Sequence, residues 1–215
     1  MAAIDNQIPE KTVERLSEYR RTLNACYKQG ITHIFSHVLA GMHGITAVQV
    51  RRDLMLIGFS SDNKKGYDVR ELIAFISFIL DSRSMMNIAV VGMGHLGQAV
   101  SKYFNSRGVN LKVTVAFDVD DDKINRDIDG IPCFHMDAFE QVVSEHDISI
   151  VILSLPTSVA QAMVLPIINA GIKGVLNFTS TPLNFPQGIF VENYDITTLL
   201  EKVAYFVKES EESNV

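Results

Sequence analysis

Gly92, Gly94 and Gly97 stand in the order G-x-G-x-x-G, with Met93, His95 and Leu96 between them. Glycines at this spacing, set between a buried strand and a helix, suit the gripping of a pyrophosphate. The first permits a tight turn, the second lets the backbone approach the phosphates, and the third allows close packing of helix on strand. The free N–H groups and positive dipole end of the helix then face the anion. Asp118 follows Gly97 by 21 residues, where an acid accepts hydrogen bonds from an adenosine ribose. Ser154, Pro156 and Asn177 stand at the ends of later apolar runs and are expected to line the same dinucleotide cleft. A second group is basic: Arg51 and Arg52 accompany Thr46 and Gln49, and Lys64 and Lys65 follow in a turn-rich segment. Gln pairs with adenine edges, and Arg and Lys with guanine or phosphate.

Elements must position these groups. Asn87–Val91 reads as a doubly buried strand and 112–117 as a second, ending in Asp118. Shorter strands are expected at 131–134, 148–154, 174–178 and 189–192, with helices at 136–146 and 158–170. This alternation predicts a parallel, doubly wound sheet with its ligand at the strand C-terminal ends. Upstream, 9–28 carries Val13, Leu16, Tyr19, Leu23 and Cys26/Tyr27 at helical spacing, with Pro9 and Glu10 suited to a first turn. A second helix is expected over His33–Ala40. Thr46 caps a third to about Ile57, with Ile45, Val48, Val50, Leu54 and Ile57 toward the core and Gln49, Arg51, Arg52 and Asp53 around the rest. Gly58–Tyr67 has the character of a hairpin wing. Asp68 and Glu71 can cap a densely apolar helix, 69–81, which should pack between domains or on a partner. The resulting division is 1–84, a winged helix-turn-helix domain; 85–195, a Rossmann domain; and 196–215, an amphipathic helix and tail.

Charge separates the same segments. Residues 1–84 hold eleven Lys/Arg and nine Asp/Glu, whereas 85–215 hold eight and sixteen, so +2 and −8 make up the −6 of the 215-residue chain. Only the first half is suited to a polyanion. No apolar run approaches the roughly 20 residues that span a bilayer, so no membrane partner is expected. The first residues lack a signal pattern. Cys26 and Cys133 form no disulfide framework and suit a reducing compartment, so a cytoplasmic location is expected. His33 and His37 have i,i+4 spacing but no clustered third ligand, so no metal site is expected. No catalytic set assembles around the glycine turn, so the chain does not read as an enzyme.

Five segments together resemble the Rex family of redox-sensing transcriptional repressors, over nearly the whole chain. They are Thr46-Ala-Val-Gln-Val-Arg-Arg-Asp-Leu54, Val91-Gly-Met-Gly-His-Leu-Gly97, Phe117-Asp-Val-Asp120, Gly171-Ile-Lys-Gly-Val-Leu-Asn-Phe178 and Val191-Glu-Asn-Tyr-Asp195. The resemblance implies a homodimer that binds an inverted-repeat DNA operator and is released by NADH, while NAD+ permits DNA binding. It implies a last helix exchanged between subunits and a domain-coupling set at Arg21, Tyr103 and Asp195. Three departures stand out: His95 replaces the family's common Arg, the wing has only Gly58 and Gly66, and Thr179-Ser-Thr-Pro182 replaces the usual Ala-Pro after the Asn-Phe pair. An NAD-dependent oxidoreductase, or a CoA- or nucleotide-binding module without a DNA role, are the alternatives. Asp118, backed by Asp120 to Asp122, should favour NAD(H) over NADP(H).

Overall fold

A computed structural model describes residues 8–60, 65–81, 84–105 and 110–212 of the chain, with residues 211 and 212 described by their backbone alone. The chain forms two compact units, Met1–Asp81 and Ser82–Val215.

The N-terminal unit begins with α1 (Glu10–Lys28), where Leu16, Tyr19, Leu23 and Cys26 recur on one face and are buried. β1 (His33–Ile34) and α2 (Ser36–Met42) follow, then α3 (Ala47–Leu56), β2 (Tyr67–Asp68) and α4 (Val69–Leu80). The helix expected from His33 starts only at Ser36. His33 and Ile34 instead pair antiparallel with Asp68 and Tyr67, and this ladder buries Ile34 and Tyr67 in the core. Two caps act as the sequence predicts. Thr46 Oγ1 accepts from the Gln49 amide at 3.1 Å, and Asp68 Oδ1 accepts from the Glu71 amide at 2.9 Å. Each satisfies a donor that the first helical turn leaves without a partner. α4 buries Val69, Leu72 and Ile76 in this unit's own core, together with residues of α1, α2 and α3. Its apolar character therefore has a local cause, although Phe78 stays exposed.

The C-terminal unit is a seven-stranded sheet. Its elements are β3 (Met86–Val91), α5 (His95–Asn105), β4 (Leu111–Asp118), β5 (Arg126–Ile128), β6 (Ile131–His135), a 3₁₀ turn (Met136–Ala138), α6 (Phe139–Glu145) and β7 (Ile148–Leu153). There follow α7 (Thr157–Ala160), a second 3₁₀ turn (Gln161–Met163), α8 (Val164–Asn169), β8 (Gly174–Asn177), β9 (Phe190–Asn193) and α9 (Ile196–Glu212). The strand order is β5-β6-β4-β3-β7-β8-β9, all parallel except β5 against β6. Along β3 the side chains alternate between two cores. Ala89 and Val91 face one, and Ile88 and Val90 the other. Both faces are buried, which is why the strand reads as a continuous apolar run. The chain moves outward from β3 through β4 and β6, then returns to the other side of β3 at β7. The switch point of the doubly wound sheet therefore lies between β3 and β7.

The single helix expected over 158–170 is broken by the second 3₁₀ turn. That break restarts the helix at Val164, so Pro166 falls in a first turn, where a missing N–H costs nothing. α9 takes the place of the amphipathic helix expected from residue 196 and ends at Glu212. Leu199, Leu200, Val203, Phe206 and Val207 are all exposed on it. No helix among the described residues is long and apolar enough to cross a membrane.

Candidate functional site

Sheet register brings the cleft residues together. Val91 on β3 is level with Phe117 on β4 and Leu153 on β7, so the next residues, Gly92, Asp118 and Ser154, stand side by side at the C-terminal ends of these strands. Gly92 N donates to Phe117 O at 2.8 Å and Ser154 N to Val91 O at 2.9 Å, which carries the ladder to the edge of the turn. Gly92 has φ +96°, a left-handed conformation that favours glycine, and a Cβ there would come within 2.6 Å of the Ser154 carbonyl oxygen. A Cβ on Gly97 would strike the Gly92 carbonyl oxygen and lie 2.9 Å from Ser154 Oγ. The two glycines thus serve different needs, one conformational and one of packing. Ser154 Oγ donates to Gly92 O at 2.7 Å and ties the end of β7 to the turn.

Above this turn opens a cleft of about 770 Å³, lined among others by Gly94, His95, Leu96, Asp118, Lys123 and Pro156. Its size is that of a site for a small organic ligand. Its floor of backbone at the start of α5 suits a pyrophosphate. Asp118 closes the far side. It accepts from Met93 N at 2.8 Å and Lys123 Nζ at 3.2 Å on Oδ2, and from Val119 N at 2.8 Å and Asp120 N at 3.1 Å on Oδ1. Burial opposes its charge, yet the Met93 and Asp120 amides, the Lys123 ammonium and the Val119 amide hold the carboxyl below the ordinary range. Asp118 therefore also fixes the glycine turn through Met93, whose side chain is wholly buried beneath it.

Asn177 requires a correction. It is fully buried and does not line the cleft. Its Nδ2 donates to Thr181 O and Asn193 Oδ1, and its Oδ1 accepts from the Thr179 amide and hydroxyl. It organises the loop after β8 and has no donor or acceptor left for a ligand on either end of its amide in the expected role. The segment Thr179–Pro182, singled out as a departure, supplies two of these partners. Lys123, absent from the expected site, enters it because the turn after β4 folds its ammonium back between Asp118 and Asp120.

In the N-terminal unit, α3 exposes Arg51 and Arg52, and Lys65 is exposed beyond it. Lys64 lies outside the described residues, as does most of the tip of the expected wing. Arg51 Nη1 donates to Ser36 Oγ at 3.0 Å. Two further expectations for α3 are corrected. Val48, expected in the core, is 62% exposed. Asp53, expected around the polar side, is buried. Its carboxylate accepts from Arg15 Nε and Nη2 at 2.7 Å each, from Tyr19 at 2.8 Å, from Thr12 at 3.3 Å and from Gln49 Nε2 at 2.9 Å. The remaining sequence candidates fall in separate units. Arg21 is exposed on α1; Tyr103, on α5, packs edge-on against Phe104; Asp195 precedes α9 and accepts from Thr197 N and Thr198 Oγ1.

The switch-point cleft and the helix-turn-helix unit define a nucleotide-binding α/β protein carrying a separate DNA-binding head. Residues 83–181 match the family model described as "CoA binding domain", and residues 7–54 match "Putative DNA-binding protein N-terminus". The chain is 33% identical to the redox-sensing transcriptional repressor Rex of Lactobacillus acidophilus, over 97% of this chain and 98% of that one. It is 36% identical to that of Carboxydothermus hydrogenoformans, over 94% and 97%. Among solved structures, that of RSP in complex with NAD+ and operator DNA matches with a TM-score of 0.89 and 28% identity, covering 98% of this chain and 97% of that one. RSP in complex with NADH matches with a TM-score of 0.86 at 28% identity, covering 98% and 99%. This chain belongs to the Rex family of redox-sensing transcriptional repressors.

Proposed function

We propose that this chain is a homodimeric repressor that grips an inverted-repeat operator through its N-terminal units and releases it when NADH fills the C-terminal cleft. The observation that carries this reading is the switch-point cleft, with Asp118 and the glycine turn at one level, in a chain matching Rex repressors end to end. The chain uses NADH and NAD+, binds double-stranded DNA, and is not an enzyme. Gly92, Met93, Gly94, His95, Leu96 and Gly97 form the pyrophosphate cradle, with Ser154 and Pro156 on its opposite wall and Asp118 at the ribose. The cytoplasm is where such a protein meets its operator, and the buried free thiols of Cys26 and Cys133 agree with a reducing compartment.

On the DNA side, Arg51, Arg52, Lys64 and Lys65 supply positive charge to phosphates or guanine. The Thr46 hydroxyl, accepting from the Gln49 amide, keeps its own proton to donate to a phosphate. Gln49 gives one N–H to Asp53 and retains a second N–H and its oxygen, the pair that matches N7 and N6 of adenine. Val48, exposed on the same helix, suits a thymine methyl. Cofactor control requires that the reduced form favour one arrangement of the units over another, since a ligand with equal affinity for both shifts nothing. Arg21, Tyr103 and Asp195 are the groups that would re-pair, and Asp195 already holds the start of α9.

Gel shift on an inverted-repeat duplex tests the reading. NAD+ leaves the complex intact and NADH dissolves it; an NADH-saturated protein that holds the duplex as before would refute it. Arg51→Ala with Arg52→Ala loses the operator yet still titrates with NADH, and the salt dependence of wild-type binding is steep. Dimerisation through α9 predicts that Phe206→Glu, a charge set in the exposed stripe, sediments as a monomer, while wild type sediments as a dimer.

A further inference from the structure

The Asp118 carboxylate is already shared among four donors, about as many as the lone-pair directions a carboxylate offers. Three are main-chain amides, of Met93, Val119 and Asp120, fixed by the turn and the strand end. The fourth is the Lys123 ammonium, the one donor on a flexible stem. Lys123 has a second carboxylate to hold, Asp120 Oδ2 at 3.0 Å. It is also the only lysine or arginine among the described residues lining the cleft, so it faces whatever the 2′ position of a ribose carries.

We propose that Lys123 is a specificity-determining residue of the ribose end. It guards Asp118 when no nucleotide is bound and yields its place to a ribose diol by withdrawing to Asp120. Its charge also weakens the rejection of a 2′-phosphate that Asp118 would otherwise impose. The inference rests on reading the cleft as a dinucleotide site. The charges about the ammonium agree with this account. Asp120 and, less strongly, Asp118 favour its protonated form; it is the main group keeping Asp120 ionised and adds to the Met93 and Asp120 amides that keep Asp118 so.

Lys123→Met keeps the stem and removes the charge. Titration of the full-length protein with NADH and with NADPH, by calorimetry, reads the outcome. NADH binds the variant a few-fold more tightly than wild type, because no guard must leave. NADPH binds it more weakly, so that the NADPH/NADH ratio of dissociation constants rises about tenfold, the scale of one charge acting at close range near a surface. Lys123→Arg keeps the wild-type ratio. An unchanged ratio, or an equal weakening of both ligands as from a damaged cleft, overturns the role of Lys123. Wild-type protein that binds neither nucleotide overturns the cleft reading itself, and the inference falls with it.

Discussion

Gly97→Ala abolishes NADH binding and leaves a repressor that holds its operator whether or not NADH is present. The added methyl meets the Gly92 carbonyl oxygen head-on, with Ser154 Oγ, beside that oxygen, 2.9 Å from the methyl. Neither neighbour can yield. Gly92 is fixed at φ +96° against the Ser154 carbonyl, and Ser154 Oγ is bonded to Gly92 O. α5 must therefore shift off the sheet, at a cost of about 1–3 kcal/mol for overpacking, and the amides that would face the pyrophosphate move with it. Gly94→Ala is the informative companion, because a Cβ there meets nothing within 4 Å. It should fold with wild-type stability and lose affinity only through the closer approach that a phosphate needs. Thermal melts with NADH titration separate the two: Gly97→Ala loses stability and binding together, Gly94→Ala binding alone. A Gly97→Ala protein with wild-type affinity would show that close helix–strand packing is not what builds this cradle.

The cradle was legible in sequence because its causes are local. A strand buried on both faces shows as an unbroken apolar run, and a turn that needs left-handed φ and close packing shows as glycines at fixed offsets. The caps at Thr46 and Asp68 are local in the same sense. What sequence reading missed depends on partners far along the chain. Asp53 directly follows Arg51 and Arg52 on α3 and reads as a solvated group; its burial depends on Arg15 and Tyr19 of α1. Asn177 ends a strand where ligand-binding residues usually stand, and only the return of the loop at Thr179–Thr181 and of β9 at Asn193 claims its amide. Lys123 was read past because a lysine after four acids, Asp118 and Asp120 to Asp122, looks like ordinary surface charge. Periodicity also misled at Val48, which lies at apolar spacing yet on the outward side of α3, and at His33–Ile34, where a two-residue ladder overrides helical pattern.

Asp53→Ala strongly destabilises the DNA-binding unit while the nucleotide-binding unit keeps its NADH affinity. Removing this one carboxylate leaves the Arg15 guanidinium, four-fifths shielded, without its bidentate partner, and strips the Tyr19 hydroxyl, fully buried, of its acceptor. Breaking a buried pair from one side costs about 3–5 kcal/mol, a large part of the stability of a small unit. The pH dependence has a definite sign. Burial opposes the charge of Asp53, but hydrogen bonds from Arg15, Tyr19 and Gln49 outweigh it and hold the carboxyl below the ordinary range. Such a group contributes stability that is present in full above its unfolded pKa, near 3.9, and is lost as pH falls through the lower folded value. Acid therefore loosens the DNA-binding unit of wild type, and this part of its acid sensitivity disappears in the variant. Urea unfolding at neutral pH, followed by circular dichroism with NADH binding in parallel, shows an early transition in Asp53→Ala at urea concentrations where NADH still binds. Arg15→Met combined with Asp53→Leu recovers much of the loss, since a matched apolar pair leaves no charge stranded. Were Asp53→Ala to melt as wild type does, the cluster would contribute nothing to holding α3 on α1. The orientation of Gln49 toward a base would then need another cause.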